Sequence, residues 1–140
     1  MALNYRKIYI SVTLLIAMAT VGCNSHAQTK DPEVMYDMAS KLKDIAFEVQ
    51  GLVKYGDGES LSNSELLLAA IDNDKSTLEI FGEYEISILV EGTRTALMLC
   101  DNKVALIEDS GCTPEVDAHY WNEDKIYSCD FKLELEKVCH

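Results

Sequence analysis

Positive charge is what this sequence has least of. Its 140 residues carry 12 Lys and Arg against 24 Asp and Glu, a formal net charge of −12. Arg6 and Lys7 fall in an N-terminal stretch without acids, so the remainder holds 10 bases and 24 acids, a net −14. A surface of that sign repels phosphate and excludes nucleic acid as a partner. Internal repeats, low-complexity tracts and linkers are also missing, and 48% apolar content argues against disorder. No Cys-x2-Cys pair suggests zinc, and no serine elbow or unpaired cysteine suggests a nucleophile.

The clearest positive signal is at the N-terminus. Arg6 and Lys7 precede an apolar run from Ile8 to Val21, interrupted only by Ser11, Thr13 and Thr20. A spanning helix needs about 20 residues, so this shorter run reads as the h-region of a secretory signal. Thr20-Val21-Gly22-Cys23 then resembles a bacterial lipoprotein box, although Thr20 stands where such boxes carry Leu. The preferred division is a signal peptide over 1–22, a tether over 23–30 with Cys23 lipidated, and one domain over 31–140. Ser25-His26-Ala27 offers a rival cleavage after 27, which would release a soluble periplasmic chain. The expected location is the bacterial cell envelope, facing the periplasm and lipid-anchored to the outer membrane. The lipid is the only membrane contact expected.

Cys100, Cys112, Cys129 and Cys139 remain once Cys23 is lipidated or removed. Four cysteines in an oxidising compartment predict two disulfides. If residues 103–108 form a straight strand, Cys100 is carried too far from Cys112 for a bridge. An extended segment likewise separates Cys129 from Cys139. Two pairings survive, and Cys112–Cys129 with Cys100–Cys139 is preferred over Cys100–Cys129 with Cys112–Cys139.

The body reads as helices followed by strands. Asp31-Pro32-Glu33 is a helix start. Met35, Met38, Leu42, Ile45, Val49 and Leu52 then recur at helical spacing to about Lys54, with Lys41, Lys43, Asp44, Glu48 and Gln50 mostly off the stripe. Ser62 to Glu65 is a capping box opening a second helix to about Asn73. A short strand is expected over Thr77 to Phe81. Tyr84 to Glu91 alternates and leads into Gly92-Thr93, a type II′ hairpin turn. The register expected there pairs Glu91 with Arg94, Val90 with Thr95, Ile88 with Leu97 and Ile86 with Leu99. A turn at Asp101-Asn102 should align Leu99 with Val104 and Leu97 with Leu106. The last strand is expected over Ile126 to Leu135. The fold class predicted is α+β: N-terminal helices on a small antiparallel sheet, made of a three-stranded meander plus a C-terminal strand, with two disulfides.

Site signals are sparse. Asp72 to Glu83 resembles the opening of a calcium loop, but Thr77 occupies the position that requires Gly, and a capped helix end explains the same residues. No metal or cofactor is expected. Asp117, His119, Tyr120 and Trp121 group a carboxylate, an imidazole and two aromatics, a composition that suits a protein interface. Glu83, Glu85 and Glu91, with Asp101, Glu108 and Asp109, suggest an acidic rim on the sheet that steers a basic protein. The reading is a non-enzymatic, inhibitor- or immunity-like protein that binds a basic partner. The alternatives are an accessory lipoprotein in assembly of an envelope machine and a small hydrolase using Asp117 and His119. The oligomeric state is not legible.

Overall fold

A computed structural model describes residues 30–140, so the expected signal peptide, the expected lipidation at Cys23 and both expected cleavage positions lie outside the described residues. Helix α1 (Pro32–Tyr55) begins at Asp31, whose carboxylate accepts from the Glu33 N–H at 3.0 Å, and ends at Gly56. Helix α2 (Asn63–Ala70) opens on the reciprocal Ser62–Glu65 capping box. Helix-period apolar residues put Met35, Met38, Leu42, Ile45, Val49 and Val53 on one buried face of α1. Among the described residues, no helix is long and apolar enough to cross a membrane.

Four strands follow: β1 (Glu85–Glu91), β2 (Arg94–Asp101), β3 (Val104–Ser110) and β4 (Ala118–His119). They form one antiparallel sheet in the order β1-β2-β3-β4. The α+β class therefore holds, with helices packed on a small antiparallel sheet and two disulfides. The β1–β2 register is the one expected at all four pairs, and Gly92 adopts φ 60° as the first turn residue. Strand β2 is buried from Thr95 to Cys100 because both of its faces are covered. Leu97 and Leu99 meet α1, while Ala96, Met98 and Cys100 meet a C-terminal strap that includes Tyr127, Phe131, Leu133 and Leu135. Gly111, after β3, allows α1 to approach: a Cβ there would sit 2.4 Å from the Ala46 carbonyl oxygen.

Five expectations are corrected. The 77–81 segment is a 3₁₀ helix (Lys75–Phe81) capped by Asp74, and its tight turn sends Phe81 into the core. The second hairpin turns at Asn102-Lys103, both with positive φ, so Asp101 pairs with Val104. An irregularity between Leu99 and Cys100 then shifts the register, and Leu99 faces Ile107 while Leu97 faces Asp109. The fourth strand is Ala118–His119. The 126–135 segment makes only the bridge Val104–Ser128, then runs as the strap into the short helix α3 (Leu135–Val138). The disulfides are Cys100–Cys129 and Cys112–Cys139, with Cα separations of 6.0 and 5.5 Å. The Ala105 N–H donates to the Tyr127 carbonyl, and the Cys129 N–H to that of Lys103. These bonds bring Cys129 back to the β2–β3 turn beside Cys100, whereas β3 carries Cys112 to the far end, where the strap finishes.

Candidate functional site

The shifted register decides where two neighbouring acids go. Side chains alternate across a strand, so Glu108 and Asp109 point to opposite faces of β3. Both are fully buried, at 0% exposure, and neither belongs to an acidic rim. Glu108 turns to the strap. It accepts from the Tyr120 hydroxyl at 2.6 Å, from the Leu133 N–H at 2.8 Å and from the Lys132 N–H at 2.9 Å. Burial and this carboxylate raise the Tyr120 pKa, so the phenol stays protonated and donating.

Asp109 turns to α1 and meets Lys43, which sits at the edge of the apolar stripe and is itself buried. Lys43 Nζ donates to Asp109 Oδ1 at 2.6 Å, to the Ser110 carbonyl at 2.7 Å and to Thr113 Oγ1 at 2.9 Å. The Thr113 hydroxyl donates in turn to Asp117 Oδ2 at 2.9 Å, which also accepts from the Ser110 N–H and hydroxyl. Burial pushes the Asp109 carboxyl up to about 7, against the hydrogen bond and charge of Lys43, which pull it down; the charge of Asp117 adds to the rise. Asp109 Oδ2 has no hydrogen-bond partner.

Above this network lies an open cleft of about 380 Å³, walled by Tyr36 and Phe47 of α1 and by Pro114, Val116 and His119. Tyr36 packs its ring 5.7 Å from His119 and 5.4 Å from Trp121, and the indole N–H donates to His119 Nδ1 at 3.3 Å. A second cleft, of about 530 Å³, lies on the other side of Phe47 and is rimmed by Asp44, Glu48, Asp72 and Asp74. Asp44 and Phe47 line both. Tyr36 is 54% exposed and Phe47 44%, so two aromatics stand in solvent beside acids.

The six residues read from sequence as a partner surface are therefore dispersed. His119 and Trp121 join the aromatic corner, Asp117 enters the lysine network, and Tyr120 lies under the strap face with its ring 4.6 Å from Tyr127. Glu85 and Glu91 are exposed at the two ends of edge strand β1. Asp117 makes no hydrogen bond to His119. Asp72 and Asn73 adopt positive φ in the turn that ends α2, and Asp74 caps the following 3₁₀ helix; among the described residues no cluster of three or more His, Cys, Asp or Glu is placed to hold a metal ion. Tyr36, Phe47, Lys43 and Thr113 were missed. Tyr36, Lys43 and Phe47, at spacings of seven and four, mark a second stripe beside the core stripe of α1.

Burial lowers the His119 pKa. A base whose folded pKa is depressed contributes stability that is complete above its unfolded value of about 6.5 and is lost as pH falls through the folded value. Lowering the pH from 7 to 5 should therefore reduce the melting temperature of the wild type more than that of His119→Gln. Parallel pH curves for the two proteins would contradict the assignment.

The chain matches no protein-family model, no curated protein and no solved structure.

Proposed function

We propose that the protein binds a basic protein outside the cytoplasm without catalysing a reaction, and that the paired clefts along α1 receive it. The observation that carries this reading is Phe47, an exposed aromatic ring between two clefts, with Asp44 shared by both. Lys41 and Lys43 also line the clefts, with Lys43 Nζ 5.0 Å from the centre of the Phe47 ring, but the exposed rim carries Asp44, Glu48, Asp72 and Asp74. An apolar anchor therefore stands beside an excess of acids, the combination expected of a hot spot for a basic surface. The excess of acids over bases supplies long-range attraction. Two disulfides in so small a domain fit an oxidising compartment, and Gly22-Cys23 after the apolar leader supports a lipid anchor on the envelope.

The test begins with a basic protein recovered from envelope or secreted extracts on the immobilised wild type. Phe47→Ala should weaken its binding by about tenfold or more, the size of a hot-spot loss. Asp44→Lys with Glu48→Lys should slow association, and added salt should do the same, because exposed charges are screened over about 8 Å at physiological ionic strength. Reversal of Glu85 and Glu91 is the comparison arm. A partner that ignores the α1 changes and responds to those on β1 would move recognition to the sheet edge. An association rate insensitive to salt and to every change would end the charge-steered reading.

A further inference from the structure

We propose that Lys43 and Asp109 condense to an intramolecular amide, cross-linking α1 to β3. The two side chains are 66 positions apart and touch at 2.6 Å, with the lysine 7% and the aspartate 0% exposed. Holding an amine against a carboxyl group replaces a bimolecular encounter by a unimolecular step, with effective concentrations of roughly 10⁵ M and above in well-oriented cases.

The protonation states needed are an amine and a carboxylic acid, and one proton transfer inside the Lys43–Asp109 contact supplies both. The Asp109 carboxyl, raised to about 7, holds a proton readily at neutral pH. The proton that moves is the one already in the Lys43–Asp109 hydrogen bond. Its transfer to Oδ1 frees the nitrogen lone pair, which attacks once it swings from the Oδ1 hydroxyl to Cγ, while the other two N–H groups stay with the Ser110 carbonyl and Thr113 Oγ1.

The C–N bond then forms between Lys43 Nζ and Asp109 Cγ, and a Cγ–O bond breaks. The nitrogen gives up one further proton through the Thr113 hydroxyl to Asp117 Oδ2, along contacts of 2.9 and 2.9 Å. The departing hydroxyl takes one proton from solvent water and leaves as water through the cleft that Lys43 helps to line, and Asp117 releases its proton to solvent, so no proton is gained or lost overall. The sum is amine plus acid giving amide plus water, with no oxidant, reductant or cofactor. Thr113 touches the reacting amine. Asp117 acts through Thr113 and is a positioning residue. The reaction also removes a buried carboxyl group, one oxygen of which has no partner.

The link has a structural purpose. Both disulfides lie between Cys100 and Cys139 and leave α1 without a covalent tie to the sheet. An amide from Lys43 to Asp109 would supply one, directly beneath the face assigned to partner binding.

Peptide mapping of the reduced, purified protein should recover the Lys43 peptide joined to the Asp109 peptide, lighter than their sum by one water. Lys43→Arg, which keeps the cation but not the amine, should abolish that species in a protein that still folds. Asp117→Asn should slow or stop linkage with the circular dichroism spectrum unchanged, and Asp117→Glu should restore it. Separate, full-mass peptides from folded wild type, fresh and after prolonged incubation, would overturn the proposal and leave a buried ion pair only. Linkage in Asp117→Asn at the wild-type rate would overturn the relay through Thr113.

Discussion

Glu108→Ala is expected to cost about 3–5 kcal/mol, because it leaves three part-buried donors, two from the strap and one from Tyr120, with no acceptor. The Lys132 and Leu133 N–H groups and the Tyr120 hydroxyl all converge on this one carboxylate. No water enters easily to replace it, since Glu108 is fully buried between strap and sheet. A domain of this size is stable by about 5–15 kcal/mol, so the loss is a large share of the total. Chemical denaturation should show a lower midpoint, and hydrogen exchange should show Lys132 and Leu133 losing protection first. Glu108→Gln should cost less, because its amide oxygen still accepts while its NH₂ faces donors. A variant as stable as wild type, with the Leu133 amide still protected, would show that the strap is held by its apolar contacts instead.

The legible part of this fold is the part that local chemistry determines. Asp31-Pro32, the Ser62–Glu65 box and Gly92-Thr93 each carry their own structural instruction, and each element begins or turns where that instruction says. The β1–β2 register follows from its turn alone. The β2–β3 register does not. Asn102-Lys103 and Asp101-Asn102 are adjacent candidates for a tight turn, and choosing between them slides the pairing by two residues, which changes partners but leaves each side chain on its face. The irregularity at Leu99 and Cys100 adds a second shift that no local pattern announces. That one-residue shift decides that Asp109 faces Lys43 and Glu108 faces the strap, so both buried networks were hidden from a reading along the chain.

The same cause lies behind the cysteine pairing. The alternation over Ile126 to Leu135 is genuine as a pattern, and Phe131, Leu133 and Leu135 do face the core. It serves a strap lying on the sheet face, not a strand paired at its edge, because the Glu108 carboxylate takes the Lys132 and Leu133 N–H groups that a ladder would otherwise use. Aromatic residues on α1 escaped notice for a different reason. Tyr36 and Phe47 sit one stripe away from the core positions, and only the packed position of the 113–121 segment shows that a cleft, not open solvent, lies beside them.

Replacing Cys112 and Cys139 together by serine is expected to lower stability by about 3–4 kcal/mol, from the chain entropy released in the unfolded state. The Cys100–Cys129 bridge closes a loop of nearly the same size, with sequence separations of 29 and 27, so the entropic losses should be alike. The local consequences should differ. Around Cys129 the backbone bonds to Lys103 and Ala105 remain when the bridge is gone. Around Cys139 the chain is the four-residue helix α3, too short to persist on its own, with Leu135 packed near Ala96. The Cys112→Ser/Cys139→Ser protein should therefore show fast exchange of the Val138 and Cys139 amides under native conditions, with Leu135 turned out intermittently. The Cys100→Ser/Cys129→Ser protein should keep the Cys129 amide protected until global unfolding. Equal local protection in the two variants, measured by native-state exchange, would mean that the strap opens as one cooperative unit. Glu108 would then hold its whole length, and the Glu108→Ala and Cys112→Ser/Cys139→Ser losses would not add when combined.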